Sequence, residues 1–393
     1  MRYHSLRRSI NGSLLGLALL SGSAWGLAAQ YTLTVLGPDE VRGTPTRATA
    51  ITPEGDTIVG DLSSAADYNV AVQFTPISQA LSGAVSGAFD VEEGIIVGFV
   101  YDASDQQPGH YPPTAAVWDH GTRRLLPRPN LPVLAPHNHS LATCANAAGD
   151  IWGTGVRGDY WHPPQHPGTD LRTIVLPLEW VDGTLLLELP TLGGAQGSVN
   201  ACDDGGNSAG WSTTAHGDQH CTQWFANGHV ADCHPHHGTS DSTAVAMNNR
   251  GQLVANATQY GRSFGYLWQW HYLAWLMPLP GDHTSTVQAL NENGEAVGQS
   301  CTSITCRAVG WERQRPVELL PRVTNAAGWA LYEAVAISDE GGIVAHGVLD
   351  RQDHVVLLTP IDTPTEAWFA WKARIYNWYV RQYVMNHRPH AHD

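Results

Sequence analysis

Short runs in which small or apolar residues alternate with polar ones recur along this chain, and each is broken by an Asn/Gly-rich turn. The clearest reads Ala244-Val245-Ala246-Met247-Asn248, then Asn249-Arg250-Gly251, then a second apolar run, Gln252–Ala257. A period of two over four to seven residues predicts β-strand, and Asn and Gly supply the left-handed backbone of a tight turn. The same phrase, roughly Ala-x-Ala-(Ile/Leu)-Asn-x-x-Gly-x-(Ile/Val)-Val-Gly, occurs seven times. Its copies are Ala48–Gly60, Ala84–Gly98, Ala142–Gly153, Val199–Gly210, Ala244–Ala255, Val287–Gly298 and Ala334–Ala345. Their last residues lie 38 to 57 positions apart, a period that predicts a solenoid or a propeller.

Each copy opens a longer unit. In the fifth, Phe264–Trp268 and His271–Leu279 follow as third and fourth strands. In the sixth the order is Val287–Leu290, Glu295–Ser300, Arg307–Trp311 and Val317–Leu320. A tryptophan marks the third strand at Trp118, Trp180, Trp224, Trp268 and Trp311. Recurring once per unit at a fixed place, these side chains are expected to pack between blades rather than to stack on a ligand. Leu-Pro closes several fourth strands (Leu126-Pro127, Leu189-Pro190, Leu279-Pro280 and Leu320-Pro321), where an outer strand tolerates the lost donor.

The two ends of the array complement each other. Tyr31–Pro38 has the pattern of a fourth strand, whereas the seventh unit stops after the third-strand run His354–Pro360. The first strand is therefore expected to complete the last blade and close the ring, removing exposed edges. The fold class expected is all-β: a seven-bladed β-propeller of four-stranded blades over residues 30–361.

The phrases Ala244–Ala257, Val287–Ser300 and Leu187–Gly194 resemble the bacterial extracellular HAF repeat. The His-Ala-Phe triplet of that repeat is nowhere intact here; Arg307-Ala308-Val309 and Ser263-Phe264-Gly265 stand in its place. The resemblance covers most of Tyr31–Ile361. It implies export and a propeller-like fold, and it brings no established catalytic residue.

Two segments flank the array. Residues 1–29 read as a secretory signal: Arg2, Arg7 and Arg8 precede the apolar run Leu14–Ser21, and small residues follow at Gly26, Ala28 and Ala29. A periplasmic or extracellular protein is expected. Residues 362–393 read as a separate element. Thr363-Pro364-Thr365-Glu366 has the form of a helix start, and Trp368, Trp371, Ile375 and Trp378 share one face of the helix that follows. Docking on the propeller is the favoured place for that aromatic face, and a membrane surface is the alternative.

Charge excludes one class of partner. The formal net charge is −15 and Lys372 is the sole lysine, so non-specific nucleic-acid binding is not expected. Six cysteines suit an oxidising compartment. Cys301 and Cys306 enclose a hairpin tip. Cys221 and Cys233 flank a turn centred on Asn227, which would set them opposite each other. Cys144 and Cys202 hold nearly the same place in neighbouring units, so a bridge between adjacent blades is expected.

Candidate chemistry is sparse. Twenty histidines cluster most densely at His216, His220, His234, His236 and His237, a candidate set of transition-metal ligands. No His-Glu-x-x-His or other spacing fixes a coordination geometry, and solvated loop histidines are the competing reading. The acidic pairs Glu92-Glu93, Asp203-Asp204 and Asp339-Glu340 fall at turns and read as solvated rather than as calcium ligands. No Gly-x-Ser-x-Gly or Walker loop is present, and no catalytic residue or cofactor is assigned. The expectation is a monomeric, non-enzymatic binding or scaffold protein whose partner is another protein or a carbohydrate. The alternative is a hydrolase, carbohydrate-active or metal-assisted, at the mouth of the channel. Convergent carboxylates or histidines there would favour the enzyme; small and apolar lining would favour the scaffold.

Overall fold

The computed structural model describes residues 30–36, 47–63, 69–75, 79–81, 85–101, 113–128, 139–157, 174–235, 238–270 and 272–361. The expected signal segment at 1–29, the segment at 362–393 expected as a helix, and His236 and His237 lie outside the described residues.

The described chain forms seven four-stranded antiparallel sheets arranged as propeller blades. The first strand, β1 (Tyr31–Leu36), stands apart from the first blade. Blade one holds β2 (Arg47–Ile51), β3 (Ile58–Ser63), β4 (Asn69–Thr75) and β5 (Gln79–Ala80). Blade two holds β6 (Ser86–Glu92), β7 (Ile95–Tyr101), β8 (Pro113–Asp119) and β9 (Thr122–Leu125). Blade three holds β10 (His139–Ala145), β11 (Ile151–Arg157), β12 (Ile174–Val181) and β13 (Leu185–Glu188). Blade four holds β14 (Gly193–Cys202), β15 (Ser208–Thr214), β16 (Gln219–Trp224) and β17 (Val230–Asp232). Blade five holds β18 (Thr239–Met247), β19 (Leu253–Gln259), β20 (Arg262–Gln269) and β21 (Tyr272–Leu276). Blade six holds β22 (Thr284–Leu290), β23 (Ala296–Cys301), β24 (Cys306–Glu312) and β25 (Arg315–Glu318). Blade seven holds β26 (Ala330–Ile337), β27 (Ile343–Leu349) and β28 (Gln352–Pro360), with β1 paired to β28 in the register Tyr31↔Pro360 to Leu36↔Val355.

The outer edge of β1 is also engaged. Leu33 N–H donates to Asn325 Oδ1 at 2.8 Å, Asn325 Nδ2 donates to Leu33 O at 2.9 Å, and Thr324 N–H donates to Tyr31 O at 2.9 Å. Tyr31 and Leu33 are buried in the core shared by blades six and seven. The strand is thus paired with β28 along one side and held at Tyr31 and Leu33 on the other.

The seven phrases are the first two strands of the blades, and the first strands neighbour one another around the ring, β26 meeting β2. Every first strand carries a β-bulge at the same place, between Ala48 and Ala50 in blade one and at the equivalent pairs through Ala334 and Ala336 in blade seven. The alternating sequence gives no sign of this extra residue. The glycine ending five of the phrases, as at Gly98 and Gly298, sits where a Cβ would come within 1.9–2.1 Å of a carbonyl of the first strand. Close backbone approach, not a left-handed torsion, fixes glycine at those positions.

The third-strand tryptophans work between blades. Trp118 Nε1 donates to Leu81 O, Trp180 to Pro127 O, Trp224 to Pro190 O and Trp311 to Met277 O, at 2.6–2.9 Å, each time in the preceding blade. All four rings are buried. In blade six the Leu-Pro pair differs from expectation: Leu320–Arg322 forms a 3-10 turn, and β25 ends earlier at Glu318. All three cysteine pairs are bridged, Cys144–Cys202, Cys221–Cys233 and Cys301–Cys306, the first linking blades three and four. Among the described residues no helix is long and apolar enough to cross a membrane.

Candidate functional site

Because each first strand lies on the ring axis, the residues the seven blades share are those that line the central channel. A cavity of about 230 Å³ opens there, at the end where the first strands finish in their turns. The bulge residues form one level of its wall: Thr49, Phe89, Thr143, Asn200, Val245, Gln288 and Val335. A bulge re-aims a side chain that strict alternation would turn elsewhere.

The polar members of that level are spent on the neighbouring blade. Thr49 Oγ1 donates to Ala88 O, Thr143 Oγ1 to Val199 O and Asn200 Nδ2 to Ala244 O, at 2.7–2.9 Å. Gln288 Nε2 donates to Glu333 Oε1 at 2.8 Å.

Above this level the turns build a belt of hydrogen bonds from blade to blade. Ala147 N–H donates to Asp204 Oδ1 (3.1 Å), and Asp204 N–H to Asn249 Oδ1 (2.7 Å). Asn249 N–H donates to Glu292 Oε1 (2.8 Å), and Glu292 N–H to Asp339 Oδ1 (2.8 Å). Asp339 N–H then reaches Pro53 O in blade one (2.8 Å). One residue earlier, Asn248 Nδ2 donates to Asn291 O and Asn291 Nδ2 to Ser338 O, both at 3.0 Å. The residue after the turn Asn is therefore a latch, and its acceptor oxygen belongs to the next blade. Aligning the seven phrases exposes the signal: Asp204, Asn249, Glu292 and Asp339 all follow the turn position. Read singly, each resembles a solvated turn carboxylate or amide.

The cavity is acidic. Asp90, Glu92, Asp203, Asp204, Glu292 and Asp339 line it, and no Lys, Arg or His does so among the described residues. Burial pushes the Asp90 carboxyl up to about 6, against the hydrogen bonds from Ala145 and Val91. Burial likewise pushes Glu292 up to about 7, and the nearby Asp339 and Asp204 add to the rise while the Asn249 hydrogen bond opposes it. Asp203 is also raised by burial, against its bonds to Asn207. Burial and like charges favour the protonated form, and at Glu292 they outweigh the nearby Arg250, which favours the ionised one.

A second polar cluster lies where the first strands begin, at the seam of blades seven and one. Glu333 is held below the usual carboxylate range, chiefly by its hydrogen bond with His346 Nδ1 at 3.4 Å. His346 is buried, and its Nε2 has no hydrogen-bond partner.

The sequence-predicted histidines lie elsewhere, in blade four. His216 sits exposed in the turn after β15. His220 and His234 come together as a parallel stack, ring centroids 3.9 Å apart and 5° from coplanar. His220 Nδ1 meets Asp232 Oδ2 at 2.8 Å. His234 spends both nitrogens on hydroxyls, Nδ1 with Ser242 Oγ (2.6 Å) and Nε2 with Thr239 Oγ1 (2.8 Å). Among the described residues no group of three or more His, Cys, Asp or Glu is placed to hold a metal ion. Of the cysteines, Cys144 and Cys202 reach the channel wall, where their bridge joins two blades.

No family model matches the chain, and no curated protein matches it. Solved structures similar to it include puromycin hydrolase, with a TM-score of 0.55 and 11% identity, covering 85% of this chain and 55% of that one. A Mycobacterium tuberculosis puromycin-hydrolyzing peptidase gives 0.50 and 16%, covering 82% and 52%. The β-propeller domain of the Trilobed protease from Pyrococcus furiosus gives 0.48 and 12%, covering 74% and 98%. The chain spans about half the length of the first two. At these identities the likeness is one of fold.

Proposed function

We propose that this chain is an exported, non-enzymatic binding protein whose propeller is a rigid frame for a partner held at the turn-side mouth of the channel. The observation that carries this reading is the use made of the polar groups there. Asp204, Glu292 and Asp339 each accept a backbone N–H from the neighbouring blade, and the channel hydroxyls of Thr49 and Thr143 donate to neighbouring carbonyls. Groups so engaged hold blades in place; a nucleophile poised against a base is not among them. Three disulfides support an oxidising compartment, and with it export in the manner of HAF-repeat proteins. The pairing of β1 with β28 supports a ring latched by its own N-terminal strand.

The charge of the mouth selects the partner. Six carboxylates line a cavity with no basic side chain among its described lining, so a cationic segment of a protein is the complementary occupant. Burial is the main reason Glu292 is raised to about 7, and a bound cation would favour its ionised form, so binding near pH 6 should release protons. The test titrates the full chain with a labelled Lys/Arg-rich peptide and an acidic control, by anisotropy and by calorimetry in two buffers of different ionisation enthalpy. Expected are saturable binding of the basic peptide alone, proton release, weakening by Glu292→Gln, and an uncleaved peptide by mass spectrometry. Equal affinity in Glu292→Gln would sink the mouth as the site, and cleavage of the peptide would return the hydrolase reading.

A further inference from the structure

The chain leaves its last described strand beside the acidic mouth. β28 runs antiparallel to β27, with Leu358 opposite Ile343, so it finishes level with the turn 338–342 of blade seven. A Cβ on Gly341 of that turn would sit 3.5 Å from Pro360 Cγ. Asp339 of the same turn lines the mouth and accepts the N–H of Glu292. Ile361 N–H donates to Gln30 O at 3.0 Å, which fixes the exit on this side of the ring. The described chain therefore ends at the rim of the cavity, and residues 362–393 follow from there.

The sequence that follows differs in charge from the body of the protein. Between Ala367 and His392 it carries Lys372, Arg374, Arg381 and Arg388 and no Asp or Glu, in a chain of net charge −15. Its cations have the reach they need. A third strand lies two strand spacings, about 10 Å, from the first strand that lines the channel. Lys372 follows Ile361 by eleven residues, a stretch of about 16 Å when wholly helical and longer when extended. Charge is not the whole match. Phe89, Val245 and Val335 are half-buried apolar side chains in the wall of the mouth, and Trp368, Trp371 and Trp378 stand among the cations of the segment. A segment attached at the rim meets the mouth at an effective concentration of about a millimolar, so even a weak contact keeps the site filled.

We infer that residues 362–393 are the resident occupant of the acidic mouth, a cationic segment of the chain itself that an external partner must displace. The inference rests on the cationic preference proposed for the mouth. It adds regulation to that site, because a ring filled by its own segment binds an outside cation less tightly than an open one.

Lys372 is the sole lysine, so zero-length carbodiimide coupling of the dilute full chain reports the neighbours of one amine. The amide formed joins Lys372 Nζ to the carboxylate it touches, and mass spectrometry of the digest identifies that carboxylate. Expected is an intramolecular link to Asp90, Glu92, Asp203, Asp204, Glu292 or Asp339. A link only to a carboxylate away from the mouth, no link at all, or a link formed only between two copies would overturn the inference. The second measurement is the affinity of the labelled Lys/Arg-rich peptide for the full chain carrying Lys372→Gln, Arg374→Gln, Arg381→Gln and Arg388→Gln together. Loss of the competitor should tighten binding by about tenfold or more. Unchanged affinity would overturn the occupancy by residues 362–393 and leave the mouth standing as a site for an outside cation. A peptide that binds neither protein would refute the mouth itself, and the inference with it.

Discussion

Asn249 shows how much one side chain of the repeat is asked to do. It accepts the backbone N–H of Asp204, returns its amide N–H to Asp204 Oδ2 at 2.8 Å, and offers its own backbone N–H to Glu292. Removing the side chain takes the acceptor from the Asp204 N–H and one hydrogen bond from its carboxylate, which costs about 1–3 kcal/mol. Asn249→Ala should therefore lower the melting temperature although the residue sits in a turn. Asn249→Asp keeps the acceptor but sets a carboxylate against Asp204 and Glu292. Its deficit should grow as pH rises from 5 to 8, and a deficit that does not change across that range would refute the latch geometry. None of this was legible from the residue alone. Asn248 announced itself as a turn former, whereas Asn249, Asp204, Glu292 and Asp339 had the look of solvated loop residues; their acceptors matter only once a neighbouring blade supplies the donor. The histidines were the more visible signal. His220 and His234 were conspicuous by number and do come together, yet hydroxyls occupy both nitrogens of His234.

Strands and their connections were far more legible, because a period of two and an Asn/Gly turn are local signals. Cys221 and Cys233 could be placed opposite each other from the turn at Asn227 and Gly228, and the register Thr222↔Asp232 puts them there. The bulge in each first strand was hidden, since inserting one residue leaves the alternation of small side chains almost unchanged. Two outcomes belong at this scale. Deleting Tyr31–Leu36 removes two buried side chains and exposes both β28 and Asn325, so the melting transition should fall sharply; an unchanged transition would show that β1 does not hold blade seven. The disulfides should differ in weight. Their partners are separated by 58, 12 and 5 residues. On chain entropy alone the Cys144–Cys202, Cys221–Cys233 and Cys301–Cys306 bridges contribute roughly 4, 3 and 2 kcal/mol. Paired Cys→Ala variants, compared by thermal melts, should follow that order. A larger loss at the hairpin tip than at the blade-three to blade-four bridge would show that local packing, not loop closure, dominates.

The whole molecule carries a pH dependence of unusual sign. Acidic groups in proteins are commonly held below their ordinary range, and stability then falls on acidification. Here five of the described carboxyls are shifted upward instead, Asp203 being one. Asp61 and Asp90 are raised to about 6, and Glu179 and Glu292 to about 7, in each case with burial as the first cause. Glu333 is shifted the other way by His346. For a raised acid the folded state binds more protons than the unfolded state between the two pKa values. Stability from that group is complete below the unfolded value and is lost as pH climbs through the folded one. The window for Asp61, Asp90, Glu179 and Glu292 runs from about pH 4 to about pH 7, and their effects add because they lie on different blades. The ring should therefore melt higher at pH 5.5 than at pH 8. Glu292→Gln, which keeps the acceptor for Asn249 N–H but cannot ionise, should flatten part of that slope and raise the melting temperature at pH 8. A wild-type melting temperature that rises from pH 5.5 to pH 8 would contradict the raised carboxyls of the mouth, and with them the reason for expecting a cationic partner there. If the slope is present and a Lys/Arg-rich peptide abolishes it, the acids that weaken the empty ring at neutral pH are the same groups that hold its occupant.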